Sequence, residues 1–395
     1  MNSPVLTPPA DPSPGWGQSL GTGAAGIVLL ANEQAHAGIA GWDTVHQWAK
    51  VMTREPVTTH PDACGLFRGA PAVAFVLHTT GRIGYAAELE ILDRHIATLV
   101  QQRLERAHAR IDHGRLPSLR EYDLISGLTG LGVSLLHRHG EHELLCDVLA
   151  YLVRLTEPVT VDGQTLPGWW ADHGPDDQPN VDWPGGHGNL GLAHGVAGPL
   201  ALLATAHRRG ITVPGQVEAI DRICTSLEEW RCGPSSRPWW PGMISRREWQ
   251  DRTVRQPGPQ RPSWCYGTPG ITRAQQLAAR ALGDIERQRR AENTLAACLT
   301  DEQQLAQLGD ASLCHGWAGA IHTAWRAATD AGPGSRLAAL LPNLRSRLGA
   351  YLNRHGLPGG SGLLDGASGV ALVRHHLAVD TPPASGWDVC LLVAG

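Results

Sequence analysis

The sequence predicts an all-α fold: seven helical repeats closed into a double-layered α/α toroid, with one small β-rich insertion. Three observations lead there. A G-x-x-G element followed by an apolar run recurs seven times, amphipathic segments of helical period fill the intervals, and 42% hydrophobic against 18% charged residues supplies a large core. The first glycines of the copies are Gly23, Gly69, Gly127, Gly195, Gly267, Gly316 and Gly366, and only the second copy lacks its closing glycine, having Ala72 instead. Two glycines three apart, ahead of a mostly apolar run, suit the start of a tightly packed helix, because a missing Cβ lets a neighbouring backbone approach. These are the expected inner helices.

Intervals of 46 to 72 residues between copies leave room for a second helix in each repeat. The stretch carrying Tyr85, Leu89, Leu92, Ile96 and Leu99 steps by four and three along one buried stripe, as an outer helix requires. No such pair buries its apolar face alone, and ring closure satisfies all seven. A phosphate-cradling loop is the rival reading of any single G-x-x-G, and seven copies in one chain argue against it.

The remaining segments follow in chain order. Residues 1–15, rich in Pro and polar side chains, are expected to be a flexible N-terminus, without the basic start and apolar stretch of a signal peptide. Residues 157–186 contain "VTVDGQTLPGWW", β-formers around an Asp-Gly turn, and are expected to form the β-rich insertion. Residues 231–262, with Trp239, Trp240, Trp249 and many prolines, are expected to form a long loop near the site, the tryptophans partly buried against the ring. All of residues 1–395 are expected to make one toroid domain.

A net charge of −4 and the absence of a Lys/Arg-rich run offer nothing to a nucleic-acid backbone. The longest apolar runs, such as Ala72 to Leu77, fall far short of the roughly 20 residues of a membrane helix, so a cytoplasmic protein is expected. Eight cysteines are spread unevenly without a secretory signal, which suits metal ligands or buried thiols better than disulfides, and Cys224 and Cys232 read as structural. Lys50 is the only lysine and lies far from any Gly-rich loop. That removes phosphoryl transfer and makes Schiff-base chemistry depend on one unpromising residue.

The repeat frame then gathers scattered residues into one constellation. Taken alone, Cys314-His315 is unremarkable, since 8 Cys and 19 His among 395 residues give about 0.4 such dipeptides by chance. Counted back from the first glycine of each repeat, however, Cys265 and Cys314 share position −2, His194 and His315 share −1, Asp123 lies at −4 and Arg261 at −6. Equivalent positions in a ring lie on one circle, so these groups are expected to meet at one mouth of the central cavity. Two thiolates and an imidazole are donors that zinc prefers, and three protein ligands leave one tetrahedral position open, as in catalytic sites. Cys265, Cys314 and His315 are the expected ligands.

His194 reads as an acid/base, with a fourth ligand or a core histidine as alternatives, and Asp123 reads as its orienting partner or as a helix cap in "EYDLISG". Asp365, at −1 in the last repeat, is expected to cap its helix. His187, His375 and His376 lie outside the frame and are expected on loops or the surface.

In this order, "EYDLISGLTGLG", "LAHGVAG", "WCYGTPG" and "CHGWAG" resemble the lanthionine synthetase C-type cyclases, with the resemblance running from Gly23 to about Leu372. It implies an α/α toroid with zinc at its mouth, closing thioether rings by adding peptide Cys thiols to dehydroalanine or dehydrobutyrine. Carried over, the ligands fall on Cys265, Cys314 and His315, with Asp123, His194 and Arg261 as catalytic neighbours and Tyr266 as a substrate contact. The resemblance also implies a dehydrated precursor peptide, a separate dehydratase, for which the chain has no room, and an exporter in a membrane-associated complex. A relative adding glutathione to dehydroamino acids would use the same centre, and a non-catalytic zinc scaffold is the reading from another class. An α/α toroid glycosidase needs two apposed carboxylates, whereas Asp123 and Asp365 lie in repeats that are not neighbours.

Overall fold

A computed structural model of the chain describes residues 8–9, 12–139 and 143–395. The expected flexible N-terminus falls largely outside the described residues. In chain order the helices are α1 (Ala24–His36), α2 (Trp42–Met52), α3 (Ala70–Thr79), α4 (Ala86–Asp112), α5 (Leu119–Tyr122), α6 (Leu128–His139), α7 (Glu143–Leu155) and α8 (Ala197–Arg208). They continue with α9 (Gln216–Glu229), α10 (Arg246–Asp251), α11 (Thr268–Leu282), α12 (Ile285–Cys298), α13 (Glu302–Leu305), α14 (Trp317–Thr329), α15 (Leu337–His355) and α16 (Ala367–Val379).

Helices α1, α3, α6, α8, α11, α14 and α16 each start within two residues of the first glycine of a copy. Each packs on the next, and α16 returns to α1, so the inner layer closes. Helices α2, α4, α7, α9, α12 and α15 each lie against the inner helix before them and form the outer layer.

Six outer helices rather than seven are found among the described residues, because α16 is followed by a tail and not by a further long helix. After α16 the chain turns inward, and both carboxylate oxygens of Glu33 on α1 accept backbone N–H groups, from Ala384 and Ser385. The segment from Trp387 to Val393 is almost wholly buried. Its carbonyls accept from Trp264 and from Arg273 on α11, and buried Asp388 accepts from Arg326 of α14 at 2.5 Å and from His322 at 2.8 Å. It also packs against α6. Contacts with non-adjacent inner helices place this tail across the interior of the ring.

The closing glycines admit a backbone, as expected, and it is that of their own repeat. A Cβ on Gly130, Gly270, Gly319 or Gly369 would overlap the carbonyl oxygen of Leu124, Trp264, Leu313 or Leu363 respectively. In each case that carbonyl lies three residues before the copy's first glycine, so the missing Cβ admits the repeat's own entering turn, not a neighbouring helix. The obstructing atom is backbone and cannot swing away. Gly319→Ala is therefore expected to cost about 1–3 kcal/mol through overpacking, measured as a lowered unfolding midpoint.

Those entering turns are tied into a belt. Leu20 N–H donates to Phe67 O, Phe67 to Ile125, Leu124 to Ala193, Leu192 to Cys265, Cys265 to Cys314 and Cys314 to Leu364, and Leu364 N–H closes the circle on Gly21 O at 2.8 Å. Positions −3 and −2 of all seven repeats thus supply the hydrogen bonds at the mouth, which is why equivalent sequence positions converge there.

Strands β1 (Val159–Val161) and β2 (Gln164–Leu166) pair as an antiparallel hairpin. Asp162 and Gly163, both at positive φ (51° and 73°), give the two-residue turn a tight hairpin needs. Strand β3 (His187–Asn189) pairs with β4 (Met243–Ser245), so segment 231–262 is not a loop throughout: it carries β4 and α10, whose start is closed by a Ser245–Glu248 capping box. Trp239 and Trp240 are buried and Trp249 is half-buried. Among the described residues no helix is long and apolar enough to cross a membrane.

Candidate metal centre and acid–base site

The turn before each inner helix aims the site. In four repeats the side chain at −4 accepts the backbone N–H of −1: Ser19 from Thr22, Asp123 from Ser126, Ser263 from Tyr266 and Ser312 from His315. This is the local side chain-to-backbone bond that Ser and Asp favour at helix starts. It fixes the residues at −1, which include His194's neighbour Tyr266 and the ligand candidate His315. At −2, the belt bond from Cys265 N to Cys314 O, 3.2 Å long, sets the two cysteines side by side.

One donor atom from each of Cys265, Cys314 and His315 lies within 4.8 Å of the other two. Cys265 is buried, and Cys314 and His315 are half-buried. The Cys314 thiol, hydrogen-bonded to Cys265, pushes the Cys265 thiol down, while the same pairing pushes Cys314 up. The His315 imidazole is shifted up by its bond to Asp310, whose Oδ2 lies 3.1 Å from Nε2. Arg261 is exposed and makes no side-chain hydrogen bond or ion pair among the described residues, and its charge also lowers the Cys265 thiol.

Beside this cluster, His194 Nδ1 lies 2.6 Å from Asp123 Oδ2. A carboxylate only accepts, so Nδ1 carries the proton and Nε2 is the nitrogen left for chemistry. Asp123 is the orienting partner of His194 through Oδ2, while its Oδ1 accepts the N–H groups of Ser126 and Gly127 at 2.7 Å each and so braces the turn that leads into α6. His194 is 40% exposed and Asp123 only 2%. Its ring stacks on Tyr266 at 6.3 Å, and the Tyr266 hydroxyl accepts from Asn189 at 3.0 Å. Burial pushes the Tyr266 phenol up to about 12.

Burial alone would depress the pKa of His194, but the hydrogen bond and charge of Asp123 outweigh it and the net shift is upward. Asp123→Asn should therefore bring the His194 pKa below the ordinary value of about 6.5, read by NMR titration of the imidazole. The sign follows from what survives the substitution: burial, the largest contribution and a lowering one, against the weaker upward pull of Cys265 and Asp177.

Three expectations need correction. Asp365 does not cap α16, whose N-cap Gly366 has no side-chain bond, and its Oδ1 sits instead 3.6 Å from His315 Nδ1. His187 is fully buried in β3, bonded to the His173 carbonyl, and His376 is buried on α16 against Trp325. Both are core histidines, seated by packing. Residues that the sequence reading missed are Asp310, Asn189, Ser263 and Ser312. A signal for all four existed: Asp310 and Asn189 occupy −6, the slot of Arg261, and the two serines occupy −4, the slot of Asp123.

The fold and site together define a helical toroid with a candidate Cys-Cys-His metal centre and a His–Asp pair at one mouth. The chain belongs to the lanthionine synthetase C-like family, since the profile of the Lanthionine synthetase C-like protein family matches residues 14–392. It is similar to the nisin biosynthesis protein NisC of Lactococcus lactis subsp. lactis, 24% identical over 364 residues that make up 90% of this chain and 84% of that protein. Among solved structures it is similar to nisin cyclase, with a TM-score of 0.80 at 22% identity, over 96% of this chain and 93% of the other. That likeness shows the toroid fold.

Proposed function

We propose that this chain is a zinc-dependent cyclase that adds Cys thiols of a dehydrated, ribosomally made peptide to dehydroalanine or dehydrobutyrine, forming lanthionine or methyllanthionine rings. The observation that carries this reading is the convergence of Cys265, Cys314 and His315 beside the His194–Asp123 pair at one mouth of the ring. The donor set fits zinc: Zn–S and Zn–N bonds of about 2.0–2.3 Å in a tetrahedron need donors roughly 3.5 Å apart, and the three donor atoms all lie within 4.8 Å of one another. When bound, zinc holds a thiol as its thiolate, where a free thiol of pKa about 8.5 is mostly protonated at neutral pH.

The chain's own residues account for the rest. Cys265 and Cys314, as thiolates, offset the double charge of the ion, which keeps a substrate thiolate electron-rich. As the C–S bond forms at the β-carbon, the C=C electron pair moves onto the adjoining carbonyl oxygen, and exposed Arg261 is the group to stabilise that enolate. One proton then goes to the α-carbon, and His194 Nε2 is placed to give it or to take the thiol proton first, with Asp123 holding the ring. Atoms balance as an addition with no oxidant and no leaving group. Tyr266, stacked on His194, forms the wall against which the peptide would rest.

The precursor peptide would arrive from a separate dehydratase, with an exporter as a further partner and the cytoplasm as the place of work. Ring closure leaves the mass unchanged, so the test counts free thiols by alkylation and mass spectrometry after incubation with a dehydrated peptide. The rival addition of glutathione is tested with a dehydrated peptide lacking Cys. Rapid glutathione adducts there, with no rings formed on the Cys-containing peptide, would favour the rival.

A further inference from the structure

His315 is held at its backbone and at its ring. Ser312 Oγ accepts its backbone N–H at 3.3 Å, and Asp310 Oδ2 lies 3.1 Å from its Nε2. Asp310 is itself anchored, because Oδ1 accepts the Ser312 N–H at 2.6 Å and nestles where a Cβ on Gly316 would overlap it. A second carboxylate competes for the ring: Asp365 Oδ1 lies 3.6 Å from Nδ1, but it is 52% exposed and farther away. A carboxylate accepts and never donates, so whichever one wins decides which nitrogen carries the proton. The anchored, nearer Asp310 puts it on Nε2 and leaves the Nδ1 lone pair free.

Building on the zinc-centre reading above, we infer that Asp310 is a positioning residue that locks His315 in the Nε2–H form and turns Nδ1 toward the ion. Carboxylates behind metal-ligating histidines act in this way, and their loss typically weakens metal affinity about 10–100-fold. The plain alternative makes Asp310 only a turn residue for Ser312. The two roles use different oxygens, so one substitution separates them. In Asp310→Asn the amide carbonyl can still accept from Ser312 N–H, while the remaining amide nitrogen is a donor and cannot accept from Nε2–H.

The full-length protein is titrated with zinc against a chromophoric chelator, with circular dichroism as a folding check. Asp310→Asn and Asp310→Ala are both expected to bind zinc about 10–100-fold more weakly than the parent. Unchanged affinity in a folded Asp310→Asn protein overturns the inference and leaves Asp310 as a turn residue. A second measurement needs no variant: NMR of the imidazole nitrogens in the zinc-loaded parent is expected to show the His315 proton on Nε2, and a proton on Nδ1 overturns the inference. Cys314→Ala in the same titration separates the two claims. If it loses zinc while Asp310→Asn does not, only the role of Asp310 falls, whereas retained zinc in Cys314→Ala removes the reading on which that role rests.

Discussion

Cys314→Ala is expected to lose zinc and enzymatic ring closure together. Zinc held by a full ligand set is worth about 10–16 kcal/mol, so one ligand carries roughly 3 kcal/mol and its removal weakens binding more than about a hundredfold. Cys314 is also the partner that pushes the Cys265 thiol down, so its loss takes away one donor and makes the other harder to ionise. The fold should survive, because the bonds that Cys314 gives the belt, to Leu364 O and from Cys265 N, are backbone bonds that Ala keeps. Metal analysis and free-thiol counting on one sample check both halves. A metal-free protein that still closes rings at the parent rate would contradict the zinc reading. Slow residual closure would not, because about 3% of a free thiol is ionised at pH 7.

Much of the site was legible because the sequence repeats its own coordinate system. Seven glycine-marked helix starts turned Cys265, Cys314, His194 and His315 into neighbours on a circle, and the backbone belt is the physical form of that circle. The frame was less informative where a slot's role depends on which side chain faces it across the mouth. Asp365 shares −1 with two histidines, yet whether it caps α16 or faces His315 depends on side-chain packing that no spacing encodes. Asp310 and Asn189 shared the −6 slot with Arg261, but a carboxylate, an amide and a guanidinium do not look like one class until their partners are known. The tail was illegible for another reason. Trp387 to Val393 looks like an ordinary apolar end, and its burial comes from Arg273, Arg326 and Trp264, each more than 60 residues away.

His194→Asn is expected to keep zinc and lose turnover. His194 stands outside the donor cluster, so zinc affinity should stay close to that of the parent, while removing a positioned acid/base costs roughly 10²–10⁴-fold in rate. Asn retains a polar group near Asp123 Oδ2, and the turn before α6 is untouched because it is bonded through Oδ1. Loss of zinc in this variant would instead make His194 a ligand, and unimpaired turnover would remove it from the mechanism. The parent's pH profile then separates the two proton roles left open above. Because Asp123 raises the His194 pKa above its ordinary value, the protonated ring persists to higher pH than a free histidine would. If His194 delivers the α-carbon proton, kcat falls as pH rises through that pKa; if it first takes the thiol proton, kcat rises through it. In Asp123→Asn the same limb should move to lower pH, and a limb that stays in place would belong to another group.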